Sequence, residues 1–310
     1  MTVLYNLSER DEVFKNPVIT IGSFDGVHRG HRAIFDRMLE IAQSLHGEPV
    51  VFTFSEHPRK LLTPHTPPKI LTTAAEKIHA IEQVGINNIV MMPFTHEIAA
   101  LTAEEFLFKI VFYHIGKAHI VVGYDHAFGK GRQGDFEFLK GLSLREGFLV
   151  ERVEPVCIQS RPVSSSWIRT EIEDGNIALA NMLLGRPYTL RGTVVKGQMR
   201  GRLLGYPTAN ITPDDPDKII PKDGVYAVRV HINGMLYHGM LNIGTNPTFE
   251  NTERTIEVHI FDFDADIYGQ TLEVFFIERI RDEKRFGSVT ELKEQLHNDK
   301  LASEKILAGN

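Results

Sequence analysis

The sequence predicts two units of different fold class: a doubly wound α/β unit with a mainly parallel sheet, then a small closed antiparallel β-barrel with a C-terminal helix packed on it. Three observations carry this. The first half alternates short apolar runs with helical patterns. The grammar changes after Gly185-Arg186-Pro187 to alternating strands joined by tight turns. The chain then finishes on one helical stretch. The boundary is accordingly expected between units 1–185 and 186–310.

In the first unit, strand-like runs fall at 18–21, 50–54, 88–92, 119–122 and 148–153. The helix after the first strand has apolar residues at Ile34, Phe35, Met38, Leu39, Ala42 and Leu45. Thr73 with Glu76, and Thr102 with Glu105, have the spacing of capping boxes at two further helix starts. In the second unit, Tyr226, Val228, Val230 and Ile232 alternate with Ala227, Arg229 and His231. Asn233-Gly234 then suits a type I′ hairpin turn. Ile256, Val258 and Ile260 alternate with Glu257, His259 and Phe261, and 272–277 supplies another apolar strand. The last helix is expected to start at Ser288, with Glu291 at capping-box spacing.

The 310 residues are 42% hydrophobic and 24% charged, ordinary for a soluble globular protein. A net charge of −6 offers no basic excess for nucleic acid. Cys157 is the single cysteine, so no intrachain disulfide forms, which is compatible with a reducing cytoplasm. The N-terminal residues lack the basic-then-apolar order of a signal peptide, and no apolar segment is long enough to span a bilayer. The expectation is a cytoplasmic protein with no membrane or nucleic-acid partner and an oligomeric state that the sequence leaves open.

The densest chemistry lies in Gly22-Ser-Phe24-Asp25-Gly26-Val-His28-Arg-Gly30-His31. It sits where the first strand hands over to a helix N-terminus. Exposed amides and the positive end of the helix dipole favour phosphate there. Gly22, Gly26 and Gly30 permit close backbone approach, and two imidazoles can donate to charge growing on a phosphoryl oxygen. That points to nucleotidyl transfer, with attack on the α-phosphate of a nucleoside triphosphate. Ligands in such sheets bind outside the carboxyl ends of the strands, where this turn lies.

Other segments are weaker alone. Thr53-Phe54-Ser-Glu-His57-Pro58 closes the second strand and, taken alone, reads as a strand end with a proline turn. Gly123-Tyr-Asp125-His-Ala-Phe-Gly129-Lys130-Gly-Arg132 is a glycine loop whose two cations can meet phosphates, with Asp125 free to take a ribose hydroxyl or an adenine amino group. Ser164-Ser165-Ser166-Trp167-Ile-Arg169 opens a helix, either as simple capping or as a phosphate clamp. In the second unit Gly197, Gly201 and Gly205 recur at four-residue spacing before Tyr206-Pro207-Thr208-Ala209-Asn210, without the ending of a Walker A loop. Thr208 and Asn210 offer neutral oxygens that suit Mg²⁺ bridged to ATP. Glu257 faces away from the apolar side of its strand and reads either as a solvated strand glutamate or as the base that a kinase acting on a primary hydroxyl needs.

The first of these stretches closely resembles the HxGH signature of the nucleotidyltransferase superfamily. More narrowly, it is similar to the adenylyltransferase half of the bacterial bifunctional riboflavin kinase/FAD synthetases (FMN adenylyltransferases). Residues 53–58 resemble that family's TFxxHP segment, 164–169 its SSTxIR motif, and 197–210 its riboflavin kinase signature, with Pro-Thr-Ala-Asn complete. Residues 242–249, 264–269 and 281–286 resemble further kinase segments. The chain departs from the pattern at Asn246, where members often have Arg, and at Asp125, where some have Asn. Trp167 stands where the family varies.

The resemblance implies a Rossmann-like HxGH domain followed by a riboflavin kinase barrel. Riboflavin, ATP, FMN and FAD are then substrates and products, and Mg²⁺ accompanies ATP. His28, His31 and Glu257 become the expected catalytic residues. ATP in the first domain falls to Gly22, Phe24, Asp25, Gly26, Gly30, Gly123, Asp125, Gly129, Lys130, Arg132, Ser165, Ser166 and Arg169. ATP in the second falls to Gly197, Gly201, Arg202, Gly205, Pro207, Thr208 and Asn210, with Thr208 and Asn210 also as metal ligands. Flavin contacts are expected at Phe54, His57, Pro58, Arg281 and Phe286. Three alternatives remain at this point: one active domain only, a catalytically silent flavin-binding regulatory or carrier protein, and a different nucleotidyltransferase such as a cytidylyltransferase.

Overall fold

The computed structural model describes residues 2–4, 14–197, 201, 204–247 and 252–309. Backbone contacts divide the chain into two compact units, Met1–Ser165 and Ser166–Asn310.

The first unit is built on a six-stranded, all-parallel sheet: β1 (Thr2–Leu4), β2 (Val18–Ile21), β3 (Pro49–Phe54), β4 (Asn88–Met92), β5 (His119–Gly123) and β6 (Leu149–Val153) in spatial order β1-β4-β3-β2-β5-β6. Both faces are covered, so the inner strands are continuous apolar runs. Val50, Phe52 and Phe54 point into one core layer with Ile19, Ile21, Ile120 and Phe106. Val18, Val51 and Val121 point into the other, with Phe35 and Met38 of helix α1 (Arg29–Leu45) and Ile78 and Ile81 of α2 (Ala74–Glu82). The α1 stripe follows the expected period, except that Leu45 is 41% exposed at the helix end.

Thr73 forms a complete capping box with Glu76, and Thr102 another with Glu105. The helix after Thr102 widens into a π-helix over Phe106–Phe112, where Phe106, Leu107, Val111 and Phe112 are all buried. A short two-stranded sheet, β7 (Cys157–Ile158) with β8 (Arg161–Pro162), follows β6. Strand order reverses between β2 and β5, so the turn after β2 and the loop after β5 leave the same edge of the sheet side by side.

The second unit opens with helices α4 (Ser165–Asp174) and α5 (Ile177–Leu184); α3 (Phe136–Glu146) lies in the first unit. The strands are β9 (Tyr188–Val195), β10 (Ala209–Pro213), β11 (Gly224–Ile232), β12 (Met235–Pro247), β13 (Thr252–Ile260) and β14 (Thr271–Arg281). They close into an antiparallel barrel in the order β10-β13-β12-β11-β14-β9. Closure leaves no free sheet edge. Leu190, Tyr226, Val228, Leu241, Val258 and Phe276 are fully buried, and Tyr226 meets Phe276 edge to face. Asn233 and Gly234 both have positive φ, as a type I′ turn requires.

Asn181 of α5 donates to the Phe276 carbonyl at 2.8 Å and accepts from the Tyr188 amide at 2.7 Å, which fixes this helix to β14 and β9. The final helix, α6 (Val289–Ala308), sets Leu307 against Ala227, Met240 and Phe261 on the outer face of the barrel. Its cap differs from a strict box. Ser288 accepts from the Glu291 amide, while the Glu291 carboxylate turns to the amide of Gly287, one residue earlier.

Candidate active sites

The turn after β2 carries the first site. The Gly22 amide donates to the Phe52 carbonyl at 3.0 Å, the last backbone tie to β3. Phe24 (φ 46°), Gly26 (φ 85°) and Val27 (φ 40°) then run through left-handed backbone, which is strained for Phe and Val. The turn ends at His28, which caps α1: its Nδ1 accepts from the His31 amide at 3.4 Å. The His28 and His31 rings stack with centroids 3.6 Å apart and planes 18° apart. Phe24 meets the His31 ring edge-on at 5.2 Å. At Gly30 a Cβ would crowd the His28 ring at 3.1 Å. Two imidazoles are thus brought together at the N-terminus of a 17-residue helix.

Asp25 is 3% exposed and acts as a strut. Its Oδ1 accepts from the amides of Leu71 (2.9 Å) and Thr72 (3.0 Å) and from the Thr72 hydroxyl (3.2 Å). The Gly26 amide donates back to the Thr72 hydroxyl oxygen, and the Ser165 hydroxyl donates to the Asp25 carbonyl at 2.9 Å. The loop after β5 lies beside this turn, with Gly123 close to Ile34 of α1. There Lys130 and Arg132 are exposed on a 3₁₀ turn, and Asp125 is exposed beside them. Arg132 donates to the Asp125 carbonyl at 3.4 Å. Gly129 has φ 72° and packs on Ala103, where a Cβ would collide. Within the loop the His126 ring is part-exposed, but its Nε2 is sealed from solvent without a hydrogen-bond partner. Burial, with help from Arg132, lowers its pKa to about 4.

Phe54 is buried against Phe94 and Phe106, and Phe106 continues the chain of rings to Phe128. His57 caps the short helix Pro58–Leu62, with Pro58 at its first position. Ser166 and Arg169 lie on α4, where Arg169 is buried and Trp167 donates to Glu171.

In the barrel, strand register gathers the second site. Asn210, Glu257 and Asn242 stand opposite one another across β10, β13 and β12, and therefore share one face. Glu257 Oε2 accepts from the Thr208 hydroxyl at 3.1 Å, and Oε1 from the Thr255 hydroxyl at 3.3 Å. A Cβ at Gly197 would collide with the Asn210 amide, and one at Gly201 with the Tyr206 carbonyl. Gly205 has φ 84°, and the Pro207 carbonyl bonds His259 at 2.8 Å. Arg202 lies outside the described residues.

Arg281 is held by the buried Asp299 of α6, at 2.9 and 3.1 Å from Nε and 2.6 Å from Nη2, with Phe286 stacked 5.9 Å from its guanidinium. Thr255, Lys77 and Asp299 lie outside every motif read from the sequence, whereas Thr53 and Glu283 fall within two of those motifs without a role of their own. The Glu283 carboxylate lies over Gly244, in the space a Cβ there would take. Gly244 pairs with Thr255 in register, a cue that exists only once the strands are paired.

A parallel sheet with paired histidines at a strand-end turn and a closed barrel carrying a hydroxyl-bonded glutamate give each of the two units one candidate site. A family model described as FAD synthetase matches residues 10–167, and one described as riboflavin kinase matches 184–307. Among curated relatives, the bifunctional riboflavin kinase/FMN adenylyltransferase of Escherichia coli (strain K12) is 35% identical over 98% of this chain and 96% of its own. The Bacillus subtilis (strain 168) protein of the same description is 37% identical over 91% of this chain and 90% of its own. That of Pseudomonas fluorescens is 38% identical over 94% and 93%. A solved structure from Streptococcus pneumoniae, described as a macrolide-efflux protein, superposes with a TM-score of 0.89 at 35% identity, covering 98% of each chain. Among the described residues here, no helix is long and apolar enough to cross a membrane. The chain belongs to the bifunctional riboflavin kinase/FMN adenylyltransferase family.

Proposed function

We propose that the chain makes FAD from riboflavin in two ATP-dependent steps, the barrel acting first and the α/β unit second. Its membership of the bifunctional family over nearly its whole length is the observation that carries this. In the barrel, the ribityl 5′-hydroxyl of riboflavin attacks the γ-phosphorus of ATP. The new O–P bond forms as the bond to the β-phosphate oxygen breaks, giving FMN and ADP. Glu257, oriented by Thr208 and Thr255, accepts the hydroxyl proton.

Thr208 and Asn210 supply hard, neutral oxygens next to that carboxylate, which fits Mg²⁺ carried in on ATP phosphates. Among the described residues no group of three or more His, Cys, Asp or Glu is placed to hold an ion by itself, so the phosphates would be its main ligands. Such an ion neutralises charge on the transferring phosphoryl group. Gly197, Gly201, Gly205 and Pro207 shape the loop around the ATP phosphates. Arg281 and Phe286, braced by Asp299, form one wall for the flavin ring.

In the α/β unit, an FMN phosphate oxygen attacks the α-phosphorus of a second ATP, and pyrophosphate leaves. The nucleophile is already ionised, so no strong base is needed. The stacked imidazoles of His28 and His31, with the α1 N-terminus, meet the charge that grows on the α-phosphoryl oxygens. The turn of Gly22, Phe24, Asp25, Gly26 and Gly30 receives the triphosphate. Gly123, Asp125, Gly129, Lys130 and Arg132 approach it from the neighbouring strand, Ser165 bonds the turn at Asp25, and the resemblance of 164–169 to the family's SSTxIR motif assigns Ser166 and Arg169 to the nucleotide as well. The riboflavin kinase match begins at residue 184, which supports a functional border at 185/186. Phe54, His57 and Pro58 adjoin the flavin. The setting is the cytoplasm. Incubation of the full chain with riboflavin, ATP and Mg²⁺ tests the proposal: FMN followed by FAD is expected, and FMN alone or no product refutes it.

A further inference from the structure

We propose that Lys77 is a positioning residue for adenylyl transfer: its buried ammonium braces the turn that carries His28 and His31 against the end of β3. This rests on the adenylyl-transfer function proposed above. Lys77 lies on α2 and is 5% exposed, an unusual place for a lysine. Its Nζ donates to the Phe54 carbonyl at 2.7 Å and to the Thr53 hydroxyl at 3.3 Å. Thr53 is fully buried, and its hydroxyl donates onward to the Ser23 carbonyl at 3.3 Å.

Ser23 lies beyond the last backbone bond between the turn and β3, from Gly22 to Phe52. The Lys77–Thr53–Ser23 relay therefore takes over where the sheet stops. Asp25, two residues further along, is the charged partner whose field favours the ammonium. Its carboxylate ties the other side of the turn to Leu71 and Thr72, just ahead of α2. One buried cation thus joins three segments around a turn whose Phe24 and Val27 are in strained backbone. Such strain persists only where the surroundings over-determine it, and here the strained residues set the position of the stacked histidines.

Burial pulls the ammonium down to about 8, against the field of Asp25. A hydrocarbon of the same length would avoid that desolvation, so stability alone does not call for a lysine here. A loosened turn misplaces the histidines in the transition state and, because the same turn receives the triphosphate, also weakens ATP binding, but leaves FMN affinity nearly intact. The expected signature is accordingly a loss in kcat that exceeds any rise in KM for ATP, with little change in KM for FMN.

The test measures FAD formation from FMN and ATP, and FMN formation from riboflavin, on the full chain. Variants are Lys77→Met, Lys77→Arg and Thr53→Val, each checked by circular dichroism. Lys77→Met is expected to lower kcat for FAD formation by about 10-fold or more, with KM for FMN within about 2-fold and any rise in KM for ATP smaller than the fall in kcat. Lys77→Arg should recover part of the loss, and riboflavin phosphorylation should be unchanged. Thr53→Val, which cuts the relay while leaving Lys77 in place, should lower kcat about 3-fold or more, and it decides the matter if Lys77→Met fails to fold. Parental kcat in the folded variants, a rise confined to KM, or equal loss of both activities overturns the proposal. Absence of FAD formation in the parent chain refutes the underlying function instead, and the brace loses its role with it.

Discussion

Asp25→Asn probes how the first site is built. In the native turn a single carboxylate oxygen, Oδ1, takes two backbone amides and one hydroxyl, and Oδ2 shares the Leu71 amide at 3.1 Å. Asparagine keeps one acceptor oxygen, loses the charge, and turns an NH₂ group toward donors. Hydrogen bonds to a charged acceptor are worth about 1.5–3 kcal/mol and neutral ones about 0.5–1.5, so two buried amides lose roughly 1 kcal/mol each. Lys77 also loses the charge that offsets its burial. The sum is about 2–4 kcal/mol. For a unit of this size that corresponds to a fall of about 5–12 °C in melting temperature. Thermal unfolding of the full chain followed by circular dichroism measures it, with FAD formation below the transition as a second readout. We expect the lower melting temperature together with slower FAD formation and unaltered FMN formation. A melting temperature within about 1 °C of the parent would refute the strut, since no carboxylate carrying those bonds is replaced at so small a cost.

Two further perturbations follow from named contacts. His126 has its pKa lowered by burial from 6.5 to about 4. The unfolded chain therefore binds a proton that the folded chain refuses as pH falls from about 6.5 to 4, and up to ~3 kcal/mol of stability is lost across that window. His126→Phe should flatten this part of the stability–pH curve in urea titrations, and an unchanged curve would exclude His126 as its source. Asp299→Ala leaves the Arg281 guanidinium without its buried partner and should destabilise the barrel unit by roughly 3–5 kcal/mol. Calorimetry and the KM for riboflavin check this, and an unaltered melting profile would mean that the ion pair contributes nothing.

Much of the architecture was legible in the chain because local rules and tertiary packing agree. Val18–Ile21 and Asn88–Met92 are apolar runs of the kind that doubly covered parallel strands require, and both stand at the expected residues. The two threonine capping boxes and the Asn233-Gly234 turn form as their chemistry dictates. Strand β1 has only three residues and pairs solely with β4, too short to show a period. The π-helix at Phe106–Phe112 is almost wholly apolar, so hydrophobic spacing cannot separate its pitch from that of an α-helix.

At the sites, the motif residues themselves were readable, whereas the braces were not. Lys77 is a lysine on an amphipathic helix, which ordinarily faces water. Its burial depends on the end of β3, more than twenty residues earlier in the chain. Asp25 meets Leu71 and Thr72 across 46 and 47 positions, and Arg281 meets Asp299 across 18. Pairings at such distances leave no periodic trace.

The central claim is that two separate sites act in sequence, and one measurement tests it most directly. His31→Ala and Glu257→Ala are each supplied with riboflavin, ATP and Mg²⁺, and again with FMN in place of riboflavin, and the flavin products are separated. His31→Ala should accumulate FMN and lose FAD formation by about 100-fold or more, the scale of removing one donor to developing charge. Glu257→Ala should fail with riboflavin yet convert supplied FMN to FAD at the parental rate. If either folded variant loses both activities together, or keeps both, the two-site account is wrong.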